Sequence, residues 1–343
     1  MNNNNNTLRE LKAYEAFIRR ASEINLPFML KGSYVTRQYF KNPSDRIPAD
    51  LDWIYLEPLE NEKIAKEKFN EWATLVTELQ LDDNIQYRSF RENEFWRMID
   101  YAMADDFPTV NTDLRCTIDG QVLDFTMDIS FNLPIEQPPV PIMYTPLEGK
   151  PFLIPCTAPI SLQVSWKIHQ TLVRPRFKDL FDLIHLVQHP SFDSVNLEKS
   201  FQALINECIA DNVDFNKIKY FLNYDLNKLF PNNKIEEAWK YWRHNNNNYD
   251  YRDILYYERA NDITDETKLP SKLNDFITIF KNHMIKAGFD LHLLEKLPSK
   301  PIKHETTQKE TQDKIYQNTS FDKPTSNTSF WTTIKKLISK MMI

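Results

Sequence analysis

Glycine is scarce in this chain, with four in 343 residues, at positions 32, 120, 149 and 288. That excludes a Gly-rich nucleotide cradle of the GxGxxG or Walker type, which needs several glycines within a few positions. Cysteine is scarcer still: Cys116, Cys156 and Cys208 lie too far apart for a CxxC metal knuckle, and an odd number does not make a disulfide framework. They are expected to be reduced core residues. No stretch approaches the ~20 apolar residues that a membrane-spanning helix needs. The Asn run after Met1 stands where a secretory signal would carry a basic and then an apolar segment. These absences predict a cytoplasmic protein with no integral membrane segment. Positive charge is not in excess either: 42 Lys and Arg against 48 Asp and Glu leave a net charge of -6. A surface built throughout for nucleic acid is thereby excluded, while a local basic groove is not.

What is present suffices for two cores. The chain is 41% hydrophobic and exceeds the roughly 250 to 300 residues at which a single core stops growing. Leu8, Leu11, Tyr14, Phe17, Ile18 and Ala21 recur at helical spacing, which predicts an opening helix over 7–24 with Thr7 as its cap. The run Leu26 to Leu30 followed by Lys31-Gly32-Ser33 and a helical segment from Tyr34 to Phe40 reads as strand, tight turn, helix. Leu51 to Leu56 reads as a strand, 61–80 as a charged helix, and 112–132 as a hairpin turning at Asp119-Gly120. The prolines from Pro134 to Pro159 predict an irregular connection. Five helical segments follow, over 158–174, 178–188, 194–209, 214–229 and 234–243.

The expected organisation is an α/β core over 1–135, with a mixed sheet flanked by helices. A Pro-rich connection over 136–157 and a helical domain over 158–297 come next. A polar disordered tail over 298–327 and a basic amphipathic helix over 328–343 close the chain. Tyr249, Tyr251, Tyr256 and Tyr257, with Trp239 and Trp242, are read as core filling in preference to a base-stacking surface.

The residues with chemical potential form a series. A turn through Gly32 and Ser33 into a helix exposes backbone N–H groups that suit a polyphosphate. Asp50 and Asp52, two apart on a strand, send both carboxylates to one face, where they can share a divalent cation. A third carboxylate, Asp124 or Asp128, lies on the polar face of a later strand, able to complete a metal site or to take a proton from an attacking hydroxyl. The loop between Ser33 and Asp50 also carries Arg37, Lys41 and Arg46, within reach of a triphosphate. Further on, Lys167, His169, Arg174, Arg176 and Lys178 fall in one short window, read either as a phosphate-binding edge or as an ordinary solvated helix face.

The segments FMLKGSYVTRQYF, DLDWIYL, VLDFTMDIS and WKIHQTLVRPRFKDLFDL resemble the nucleotidyltransferase fold superfamily, and within it the AbiEii-like toxins of type IV toxin–antitoxin systems. The resemblance implies a nucleotidyltransferase-type α/β core followed by a helical part. It assigns Ser33 to the phosphate turn, Asp50 and Asp52 to the metal pair, and Lys167 and Asp179 to the helical signature; it favours Asp128 over Asp124 because Ile-Ser follows it. It further implies Mg2+ or Mn2+ as cofactor, an NTP as substrate with Gly32, Ser33, Lys167 and Arg174 around it, a tRNA 3′ end as acceptor with a protein hydroxyl or a small hydroxylated molecule as alternatives, and a cognate antitoxin as partner. Two rival readings share these residues: a non-catalytic scaffold of the same fold, and a kinase-like phosphotransferase.

Overall fold

The computed structural model describes residues 2–99, 108–244 and 259–298. The expected tail, the C-terminal basic helix, the second Asn run and Tyr249 to Tyr257 lie outside the described residues. Among the described residues, no helix is long and apolar enough to cross a membrane.

The chain opens with α1 (Asn2–Ser22), β1 (Phe28–Lys31), the single turn α2 (Ser33–Thr36) and a 3-10 turn Arg37–Tyr39. Then come β2 (Leu51–Tyr55), α3 (Glu62–Glu78), β3 (Ile85–Tyr87), β4 (Arg97–Ile99), β5 (Thr109–Ile118), β6 (Gln121–Ser130), β7 (Val140–Tyr144) and β8 (Phe152–Thr157). The helical half consists of α4 (Ile160–Val173), α5 (Phe177–Leu186), α6 (Ser194–Ala210), α7 (Phe215–Leu222), α8 (Ile235–His244), α9 (Ala260–Ile263) and α10 (Leu273–Lys286). The strands make one mixed sheet in the order β3-β5-β6-β2-β1-β8-β7, with β4 also paired to β5.

Strand alternation decides which side chains meet. Phe28 and Leu30 of β1, Leu51, Trp53 and Tyr55 of β2, and Phe125, Met127 and Ile129 of β6 all face the core shared with α1 and α3. Asn61 caps α3 by accepting from the Ile64 N–H at 3.1 Å, and Trp72 of that helix stacks on Phe28 with centroids 4.0 Å apart. The intervening residues, Met29 and Ile54, face the other side, where Trp166 of α4 packs. A second large core holds the helical half, with Trp239 and Trp242 inside it. Phe40 belongs to that core, stacked on the His185 ring at 3.9 Å.

Several elements differ from the sequence expectation: the helix expected from Tyr34 to Phe40 is one α-turn followed by a 3-10 turn, and the helix expected over 214–229 ends at Leu222. The first helix starts at Asn2, not Thr7: Asn is a weak helix former, but each costs only a fraction of a kcal/mol, and a helix already held by packing extends through them. The Pro-rich stretch is irregular only in part; it contains the β7–β8 hairpin. Its prolines sit where no ladder donor is needed: Pro141 at the register shift on the edge strand, and Pro155 on β8 beyond its single paired position with β1. The Asp119-Gly120 turn is as expected, with both residues at positive φ (51° and 72°), the conformation that suits a two-residue hairpin.

Trp72 is 1% exposed and touches three aromatic neighbours, Phe17, Phe28 and Trp53. Trp72→Ala should cost about 3–5 kcal/mol, measured as the shift in equilibrium denaturant unfolding; a loss below about 1 kcal/mol would contradict the packing described.

Candidate active site

One row of side chains crosses the sheet on the face away from the α1–α3 core. The antiparallel register of β1 and β2 sets Lys31 beside Asp52, and the parallel register of β2 and β6 sets Asp52 beside Asp128. The hairpin register sets Asp128 beside Asn111, and β4 sets Asn111 beside Arg97. Two carboxylates thus lie side by side between a lysine and an amide. Lys31 Nζ is 3.4 Å from Asp52 Oδ1; Asn111 Nδ2 donates to Asp128 Oδ1 at 2.5 Å, and Arg97 donates to the Asn111 amide oxygen.

Gly32 makes this row possible. Its φ of +74° is open to glycine at little cost, and a Cβ at this position would collide with Oδ2 of Asp52 and lie 3.2 Å from its Cγ. The turn therefore lies directly against the Asp52 carboxylate. Helix α2 is one turn long, so it offers the backbone N–H groups of its first turn and little macrodipole. Ser33 Oγ stands 3.5 Å from Asp50 Oδ1, at the outer limit of a hydrogen bond. Asp50, immediately before β2, keeps an exposed surface.

Behind Asp50 lies a chain of buried charges. Arg46 pairs with Asp182 through Nε at 2.7 Å, Lys167 Nζ bridges Asp182 at 2.8 Å and Asp179 at 2.9 Å, and Arg176 Nε meets Asp179 at 2.6 Å. Burial alone would raise the Asp50 carboxyl, but Lys178, Arg46, Lys167 and Arg176 together hold it below the usual carboxylate range. Asp52 behaves oppositely. Burial and the neighbouring charges of Asp50 and Asp128 push it up to about 6 even though Lys31 pulls it down. Two carboxylates two residues apart are thus driven in opposite directions, the pattern that separates roles within one site.

The sequence-derived residues therefore divide. Gly32, Ser33, Asp50, Asp52 and Asp128 come together. Asp124 is elsewhere: exposed, and held bidentate by Arg115 at 2.6 and 2.9 Å. Lys167 and Asp179 are brought near Asp50 but are bonded to each other. Arg174 stands at the C-terminal end of α4. The basic window is not one edge, because His169 on α4 faces Asp211 at 2.9 Å while Lys167 faces α5. Nor do Arg37 and Arg46 face a triphosphate: Arg37 is buried against Glu15 at 2.5 Å, and Arg46 is committed to Asp182. Asn111 and Arg97 were not anticipated; the hairpin register around Asp119-Gly120 is the signal that locates Asn111. Among the described residues, no cluster of three or more acidic, histidine or cysteine side chains closes into a ready-made metal cage.

Comparison with known proteins gives the class first. The fold is that of nucleotidyltransferases: the chain aligns with the nucleotidyltransferase toxin MenT4 of Mycobacterium tuberculosis at a TM-score of 0.51 and 9% identity, over 91% of this chain and 93% of that one. It also matches JHP933 of Helicobacter pylori at 14% identity and a TM-score of 0.36, over 84% and 97% of the two chains. No curated protein matches by sequence. The family model described as nucleotidyl transferase AbiEii toxin, type IV TA system, matches residues 17–259, and the chain belongs to that family.

Two predictions test the electrostatics. Arg46 and Asp182 are 2% and 0% exposed, so Arg46→Met should cost about 3–5 kcal/mol by leaving Asp182 short of a partner. Arg115→Met, in the exposed pair with Asp124, should cost under about 1 kcal/mol; equal losses on unfolding would contradict the buried chain. For Asp52, folded protein holds the proton up to about pH 6 whereas the unfolded chain releases it near pH 4. Between these values the native state binds more protons, so this group lowers stability as pH rises and the full penalty is present above pH 6. Asp52→Asn should therefore gain stability over wild type across pH 4 to 6, by on the order of 2 kcal/mol, in chelator-treated buffer. A pH-independent difference would refute the assignment.

Proposed function

We propose that the chain moves a nucleoside monophosphate from an NTP to a hydroxyl acceptor, a tRNA 3′ end, and releases pyrophosphate. The observation that carries this reading is the in-register pair Asp52–Asp128 with the Gly32 backbone against it. It brings the backbone at the start of a helical turn against an acidic pair, which supports a site for phosphates and a cation. Gly32 and Ser33 hold the triphosphate, and Asp50, Asp52 and Asp128 form the acidic side. Lys167 and Asp179 act through the buried chain by fixing the position and ionised state of Asp50, and Arg174, at the C-terminal end of α4, is assigned to the nucleotide.

The donor set fits a divalent cation. Asp52 and Asp128 lie side by side in register and Asp50 is close enough to act on Asp52, so a cation would relieve their mutual repulsion. The lack of a closed cage suits Mg2+ or Mn2+, since Mg2+ is commonly held by one or two carboxylates plus substrate phosphates. Asp50 and Asp52 would hold the ion and Asp128 would assist. Bound there, it would supply Lewis-acid stabilisation of the charge that develops on the phosphate.

The remaining chemistry belongs to side chains and backbone. The acceptor oxygen forms a bond to the α-phosphorus, the bond from that phosphorus to the β-phosphate bridging oxygen breaks, and the electron pair leaves with pyrophosphate. The hydroxyl proton passes to Asp128, whose carboxylate Asn111 holds in orientation. The turn N–H groups orient the triphosphate for in-line displacement. In this reading the protein acts in the cytoplasm as a toxin restrained by a cognate antitoxin.

The test is incubation with each α-labelled NTP, Mg2+ and total tRNA. Wild type should label RNA, and Asp50→Asn combined with Asp52→Asn should reduce labelling at least ~100-fold with the fold retained by circular dichroism. Undiminished transfer in the double variant would sink the assigned site, and absence of label with all four NTPs would sink the activity.

A further inference from the structure

We infer that Lys31 is a built-in counter-cation that competes with the divalent ion for Asp52. The inference rests on the divalent-cation reading of the acidic row and adds to it a residue that sets the ion's affinity.

The geometry singles Lys31 out from the other cations near the site. Arg46, Lys167 and Arg176 are tied into the chain with Asp182 and Asp179 and act on Asp50. Arg97 donates to the Asn111 amide oxygen in that row and also meets Asp113 at 2.5 Å. Lys31 is the cation placed in register beside Asp52, with Nζ 3.4 Å from Oδ1 while Oδ2 lies over the Gly32 backbone. Asp52 has on its other side another carboxylate, Asp128, so the ammonium offsets a negative pair. Both partners are partly open, at 19% and 16% side-chain exposure, and the pair lies at the loose end of ion-pair distances. A strong, dry, short ion pair would exclude a metal; this one can be exchanged.

Exchange has a destination for the displaced charge. A lysine ammonium is a compact charge on a flexible four-carbon stem, and Lys31 immediately precedes the Gly32–Ser33 turn proposed to hold the phosphates. When the divalent ion takes Asp52, the ammonium can move to a phosphate oxygen beside it. When the ion leaves, Lys31 returns and keeps the row from repelling itself apart. The residue thus weakens ion binding to the protein alone and penalises it less once nucleotide is present.

Calorimetric titration of full-length protein with MnCl2, with and without a non-hydrolysable NTP analogue, tests this. Lys31→Met should bind Mn2+ roughly tenfold tighter than wild type in the absence of nucleotide. The gain should shrink when the analogue is present, and Lys31→Arg should stay near wild type. In EDTA, Lys31→Met should melt below wild type, and Mn2+ should close that gap. Should Lys31→Met fail to fold, Lys31→Gln carries the same expectations. Unchanged or weaker Mn2+ affinity in the neutral variants, with wild type binding normally, would overturn the role of Lys31 while leaving the cation site standing. No Mn2+ binding by any folded form, with or without analogue, would overturn the cation reading and this inference together.

Discussion

The chain of buried charges from Arg46 through Asp182, Lys167 and Asp179 to Arg176 is the constraint on which the rest of the site depends. Arg46 lies in the loop that delivers Asp50, while the other four belong to α4, α5 and the residue before α5. The loop is fastened to the helical half twice more, by the Ile47 N–H donating to the Ile263 carbonyl at 2.8 Å and by Asp45 with Lys268 at 2.5 Å. Buried ion pairs are poor sources of net stability, because desolvation consumes most of the Coulomb gain. Their value here is positional: two separate hydrophobic cores meet at a fixed place, and Asp50 is held there in its charged form.

Set against that positive wall, the sheet presents an acidic row. Asp50 faces the buried cations and is held ionised; Asp52, two residues on, faces Asp128 and resists ionisation. The asymmetry follows from backbone placement alone. A residue at the mouth of β2 reaches toward the helices, whereas a residue inside the strand is flanked by its ladder neighbours. Gly32 completes the arrangement by letting the backbone of the turn occupy the space beside Asp52 that any side chain would need. In the proposed function, substrate phosphates and a cation share these few ångströms.

Much of this was legible in the sequence because it is local. The Gly32–Ser33 turn, the Asp50–Asp52 spacing, the alternation of β6 and the helical periodicities all show within short windows. Contacts across elements were harder. Lys167 and Asp179 read as nucleotide-handling residues, and spacing along the chain could not show that they bond to each other across α4 and α5. Arg37 and Arg46 looked like loop cations and proved to be buried partners of Glu15 and Asp182. Asn111 was recoverable: eight residues outward along each strand from the Asp119-Gly120 turn reach Asn111 and Asp128. Arg97 was not, since β4 joins β5 by a pairing that no turn signals. Proline density hid β7 and β8, because composition does not distinguish prolines that break a strand from those placed on its unpaired side.

The central claim is that turn, acidic row and buried charges converge on one nucleotide and its cation. Diffraction from crystals grown with a non-hydrolysable NTP and Mn2+, with data collected for manganese anomalous scattering, addresses it most directly. The account predicts an anomalous peak bound by Asp50 and Asp52 with Asp128 beside it, and the triphosphate on the Gly32–Ser33 turn. Manganese ordered elsewhere, or nucleotide bound away from that turn, would contradict it.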